Sequence, residues 1–115
     1  MPWPLLPICS RRRQVRDDVA QITSRTTGVT LNKTCGAITL FSAAGSTTPA
    51  SFTVTNSTVA ATDTPFVVQK SGTDKYDISV SAVAAGSFEI TFNTKSGTTT
   101  EQPVFNFTVM KGVAA

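Results

Sequence analysis

The chain has no histidine, and only seven of its 115 residues are acidic. Without histidine there is no imidazole to serve as a general base, to complete a Ser-His-Asp or Cys-His arrangement, or to ligate a metal. Two cysteines, Cys9 and Cys35, cannot build a zinc cage. Gly72, Gly86 and Gly97 each stand alone in a turn context and do not open a helix, which argues against a phosphate-binding loop. No run of apolar residues approaches the roughly 18 needed for a membrane helix, so no membrane partner is expected. Aromatics are scarce apart from phenylalanine. Every phenylalanine of the domain fits in or near a core pattern, leaving Tyr76 as a thin platform for stacking on a sugar.

Charge is also sparse at 15% of residues, and it is unevenly placed. The formal net charge is +3. Arg11, Arg12, Arg13 and Arg16 against Asp17 and Asp18 account for +2 of it, leaving +1 on residues 19–115. Nucleic-acid binding needs a basic track, with aromatics interleaved where bases stack, and the region after the tail has neither. No nucleic-acid partner is therefore expected for that region.

What the chain does have is alternation. Phe88, Ile90 and Phe92, or Phe105, Phe107 and Val109, occupy every second position, and only a strand puts such residues on one face. Abundant Thr and Ser suit the other face, because β-branched Thr fits a pleated surface. The pattern restarts between breakers and predicts strands over 19–24, 29–32, 37–41, 51–56, 66–70, 76–83, 88–93 and 104–110. Ser71-Gly72-Thr73-Asp74 and Ala85-Gly86 read as hairpin connections, and 94–103 as an exposed tip. The expected inward residues include Val29, Ile38, Leu40, Phe52, Val54, Phe66, Val68, Ile78, Val80, Phe88, Ile90, Phe92, Phe105, Phe107 and Val109. About eight short strands with one apolar face each predict an all-β fold, a two-sheet antiparallel sandwich of Ig-like or jelly-roll-like type. A closed barrel is the alternative.

Residues 1–18 form a basic, Pro-containing N-terminal tail, disordered or partly helical, and residues 19–115 the β-sandwich domain. In the tail the arginines follow the short apolar stretch instead of preceding it, so a secretory signal is not expected. The tail reads as a leader outside the compact domain, with a basic arm as the functional alternative. Cys9 and Cys35 allow a single intramolecular disulfide, and two reduced thiols are the expected state. Asn32, Asn56 and Asn106 head glycosylation triplets of the kind a Thr-rich chain produces by chance. Asp74 and Asp77 are the only close acidic pair of the domain. They could serve a glycosidase or a weak calcium site, but two acids beside a Ser-Gly turn read as solvated loop. No catalytic, cofactor-binding or metal residue is assigned.

Several segments, taken in order, carry a resemblance: Thr26-Thr-Gly-Val-Thr-Leu-Asn-Lys33, Gly36-Ala-Ile-Thr-Leu40, Ser51-Phe-Thr-Val-Thr-Asn-Ser57, Val83-Ala-Ala-Gly-Ser-Phe88 and Phe105-Asn-Phe-Thr-Val-Met-Lys-Gly112. Over about five-sixths of its length the chain resembles small β-sandwich virion structural proteins of tailed bacteriophages. The resemblance implies a non-enzymatic capsid decoration or cement protein located in the virion, needing no cofactor. It also implies contact with the major capsid protein or other virion proteins, and low charge adds the expectation of a homo-oligomer. A tail-fibre-associated receptor- or carbohydrate-binding β-sandwich is the alternative.

Overall fold

A computed structural model describes residues 18–112. These residues form β1 (Asp18–Ala20), β2 (Val29–Thr30), β3 (Cys35–Thr39), β4 (Ala43–Ala44), β5 (Ala50–Thr55), β6 (Thr64–Ser71), β7 (Tyr76–Ala84), β8 (Ser87–Thr94), β9 (Thr100–Glu101) and β10 (Val104–Met110), with no helix among them. The expected N-terminal tail lies outside the described residues except for Asp18, which opens β1.

The strands make two four-stranded sheets, one ordered β1-β3-β10-β6 and the other β2-β5-β8-β7, plus a small β4-β9 pair. The fold is the expected all-β sandwich, with antiparallel long strands. The two short strands β1 and β2 depart from that pattern and join their sheets in parallel, against β3 and β5.

The phenylalanines explain how the sheets close. Phe52 and Phe92 from one sheet and Phe105 from the other meet edge to face with ring centroids 5.9 and 5.7 Å apart, and Tyr76 lies 5.6 Å from Phe105. Phe88 and Phe107 make a second inter-sheet pair at 5.6 Å. Edge-to-face pairs add about 0.5–1.5 kcal/mol each beyond the apolar area they bury. Ile38, Leu40, Val54, Ile90 and Val109 fill the space around these rings and are buried.

Turn chemistry ends the strands where the pattern breaks. Gly86 takes φ 87° between β7 and β8 and makes the expected hairpin. Gly72 takes φ 130° between β6 and β7. These two strands lie in different sheets, so the expected hairpin at 71–74 is instead a corner that carries the chain from one sheet to the other. Asn56 is fully buried: its Oδ1 accepts from Thr58 N–H and Oγ1, and its Nδ2 donates to Lys33 O, which clamps the end of β5 to the β2–β3 connection.

Three further expectations need correction. Phe66 and Val68 do not enter the core; they are 53% and 61% exposed, and Pro65 and Val67 point inward in their place. Segment 94–103 is not a free tip. Thr94 and Pro103 are buried, Thr100–Glu101 pairs with Ala43–Ala44, and the Glu101 carboxylate accepts from the Thr73 and Asp74 N–H groups at 2.6 and 3.0 Å. Cys35 is disulfide-bonded, so it is not a reduced thiol. Cys9 lies outside the described residues.

Candidate interaction surface

The domain's acids are each engaged separately. Asp63 is buried, and its carboxylate accepts from Lys111 Nζ, Gly112 N–H and Ala60 N–H, tying the end of β10 to the turn before β6. Lys111, with the two N–H groups, lowers the Asp63 pKa to about 2. Burial raises the Glu101 carboxyl, but the Thr73 and Asp74 N–H groups together outweigh it and leave the group below its ordinary value.

Asp74 and Asp77 diverge. Asp77 is exposed and pairs with Lys95 at 2.5 Å. Asp74, expected to be solvated loop, is instead buried, with Oδ2 accepting from Thr99 N–H and Oδ1 from Thr99 Oγ1, both at 2.8 Å. The pair therefore anchors two different parts of the 94–101 segment and does not form one two-carboxylate site. Among the described residues no three metal-ligating side chains cluster.

A recess of about 210 Å³ lies between Arg25, Tyr76, Phe92 and the small residues Ala43, Ala44 and Ala50. Its cation is already committed. Arg25 donates to Phe41 O, Tyr76 Oη and Glu101 O at 2.8, 3.1 and 2.6 Å, and its guanidinium lies 5.9 Å from the Tyr76 ring centre. Burial pushes the Tyr76 hydroxyl pKa up, with Arg25 acting against it, so Tyr76 stays a neutral partner. Arg25 thus ties the β1–β2 connection to the β3–β4 connection, to β7 and to β9, and the recess is below the roughly 300 Å³ at which ligand pockets begin.

The outer faces of the sandwich contrast with one another. On β5, β7 and β8 the outer face is a hydroxyl ladder in which Ser51 and Ser81 both bond Thr91 Oγ1, at 2.7 and 2.8 Å, and Ser81 also donates to Glu89 at 2.8 Å. On β6 and β10 the outer face carries Phe66, Val68 and Met110, the last 52% exposed. The register aligns Phe66 with Thr108 and Thr108 with Cys35, so this face runs from the open edge at β6 back to the disulfide-bonded cysteine on β3. A contiguous exposed apolar patch beside polar surface marks an interaction site more often than isolated exposed residues do.

Sequence reasoning missed this surface because it counted Phe66 and Val68 as core. Pro65 was the available signal. A proline inside a strand belongs on an edge, where its missing N–H costs no ladder bond.

Comparison of the chain with known protein families, with curated proteins and with solved structures finds no match.

Proposed function

We propose that this chain is a non-enzymatic virion structural protein, a capsid decoration or cement protein that attaches through the outer face of β6 and β10. The observation that supports the reading is the asymmetry of the sandwich, with Phe66, Val68 and Met110 exposed on one face and a hydrogen-bonded Ser/Thr surface on the other. A protein that coats a larger surface needs one adhesive side and one side that tolerates water and close neighbours. The sequence resemblance points the same way, and the near-neutral domain limits repulsion between crowded copies.

The test is reconstitution. Purified protein should add to expanded capsids that lack it at a fixed ratio to the major capsid protein, because a symmetric shell offers a set number of equivalent sites. Binding should weaken only modestly with salt, since little net charge is available for screening. Phe66→Ser should reduce binding while the domain stays folded. Failure to bind such capsids would remove the reading. A second reading, a tail-fibre sandwich that binds carbohydrate, gains one feature from the structure: Phe66 is an exposed aromatic where none was expected. Glycan binding lost in Phe66→Ala, in a protein that ignores capsids, would favour it.

A further inference from the structure

β6 ends its sheet, and among the described residues no strand hydrogen-bonds its far side. Which of its groups face that side follows from β10. Val109 N–H donates to Thr34 O, so Val109 turns its main-chain groups toward the β3 side. Alternation along an antiparallel ladder then turns Asn106 and Thr108 toward β6, where their partners Val68 and Phe66 answer them. Pro65, Val67 and Gln69 are left directing their main-chain groups to the open edge. Pro65 fits this assignment, since the N–H it lacks is one that would point away from the ladder.

We propose that two copies of this chain join by antiparallel β6–β6 pairing, with the twofold axis at Val67. With Val67 opposite its own copy, the two residues exchange a pair of N–H···O bonds. Gln69 N–H of each copy meets Pro65 O of the other, giving four main-chain bonds in all. Of the six main-chain bonds a full ladder in this register would hold, the proline removes two, one for each copy. On the outer face Phe66 stands across from Val68 of the second copy, twice over. Aromatic and β-branched residues in directly opposed positions contribute favourably, whereas like charges there are destabilising. The only charged residue of β6, Lys70, falls opposite Thr64, so the two lysines lie at opposite ends of the interface. Strands protect an open edge with central lysines, bulges or a covering segment. The stretch 64–68 carries no charge, and the irregularity against β10 falls at Lys70, outside the main-chain bonds that residues 65–69 would form.

This gives a geometry to the homo-oligomer expected from the sequence and does not depend on capsid attachment. Capsid attachment is read by a separate assay, so the two can fail independently. The full chain should show a concentration-dependent rise from monomer to dimer mass in sedimentation equilibrium. Amide exchange followed by NMR supplies the signature: Val67 and Gln69 N–H should exchange quickly in dilute protein and become protected as the dimer fills. Phe66 and Val68 N–H, bonded to β10, should be protected at every concentration. Val68→Glu, at an exposed position, should leave the circular dichroism spectrum unchanged and weaken dimerisation at least tenfold. A protein that stays monomeric up to millimolar concentration overturns the proposal. A dimer in which Val67 protection does not follow concentration, or that Val68→Glu leaves intact, overturns it equally by placing the interface elsewhere.

Discussion

Phe107 and Phe66 sit on adjacent strands of one sheet and on opposite faces of it, so the same substitution at both positions measures the register of β6 against β10. Phe107 is 2% exposed and packs edge to face on Phe88. Truncating such a ring to alanine removes its transfer energy, leaves a cavity and breaks the aromatic pair, for about 3–5 kcal/mol. Phe66 is more than half exposed. Full burial of a phenylalanine is worth about 1.5–3 kcal/mol, so Phe66→Ala should cost no more than about 1 kcal/mol in the monomer. For a domain of this size each kcal/mol moves Tm by about 4–8 °C, which predicts a fall of roughly 12–40 °C for Phe107→Ala and under about 8 °C for Phe66→Ala. Total stability of small domains is only about 5–15 kcal/mol, so the first variant should be marginal at room temperature and the second robust. Urea unfolding of dilute protein, followed by far-UV circular dichroism, decides the matter. Because a one-residue slip exchanges the two faces of a strand, a cost for Phe66→Ala equal to or above that of Phe107→Ala would refute the assigned register.

Asp74→Ala should destabilise by about 1–3 kcal/mol, because Thr99 loses the buried acceptor for both its N–H and its hydroxyl, whereas Asp77→Ala should stay within about 0.5 kcal/mol as the loss of an exposed ion pair. Thermal melts of the two variants separate the roles; equal effects would contradict them. Asp63 has a folded-state pKa depressed from 3.8 to about 2, so the stability it confers is present above the unfolded value and is lost as pH falls through about 2. The Tm advantage of wild type over Asp63→Asn should therefore be full at neutral pH and shrink across that interval, and an advantage independent of pH would show that the carboxylate charge is not its source. Cys35→Ser should lower stability by about 2–5 kcal/mol, the usual cost of losing a native disulfide from a small domain, and a reducing agent should produce the same fall in wild type. Melting curves unmoved by either change would mean that the bond adds nothing to the fold.

The long strands were legible because their alternation is unambiguous. In 87–94 the buried positions are Phe88, Ile90, Phe92 and Thr94, with no apolar residue at the intervening sites to compete. Segment 64–71 differs. Pro65, Phe66, Val67 and Val68 are apolar at four successive positions, so two registers are equally hydrophobic and the aromatic was assigned to the core. The neighbouring strand settles it: Phe105 and Phe107 already fill the inner face of β10, and the inner positions aligned with them and with Val109 are Gln69, Val67 and Pro65. β4 and β9 have two residues each, too few to show any period. Asp74 became structural only because Thr99, 25 residues later, folds over it, and local composition carries no trace of such a contact. Cysteine count fixes which disulfides are possible and leaves open whether the geometry lets one form, hence the error at Cys35.

The ambiguity that hid the surface also bears on how it could work. A strand buried on both faces must be apolar at every position, and one that presents an apolar outer face to a partner reads the same way, so the run at 65–68 is what an interface strand looks like in sequence. In a β6–β6 dimer the twofold axis stands perpendicular to the sheet, which keeps both outer faces on one side. The two Phe66–Val68–Met110 strips then merge into one patch of twice the area, and the two hydroxyl faces both look away from it. Dimerisation and one-sided attachment would therefore reinforce each other, because a dimer docking on a surface gains the second strip at high effective concentration once the first is seated. Val68→Glu should accordingly weaken capsid binding by more than the loss of one apolar contact would cost. If it were to abolish dimerisation and leave capsid affinity equal to that of wild type, neither the dimer nor the strip that contains Val68 would contribute to attachment.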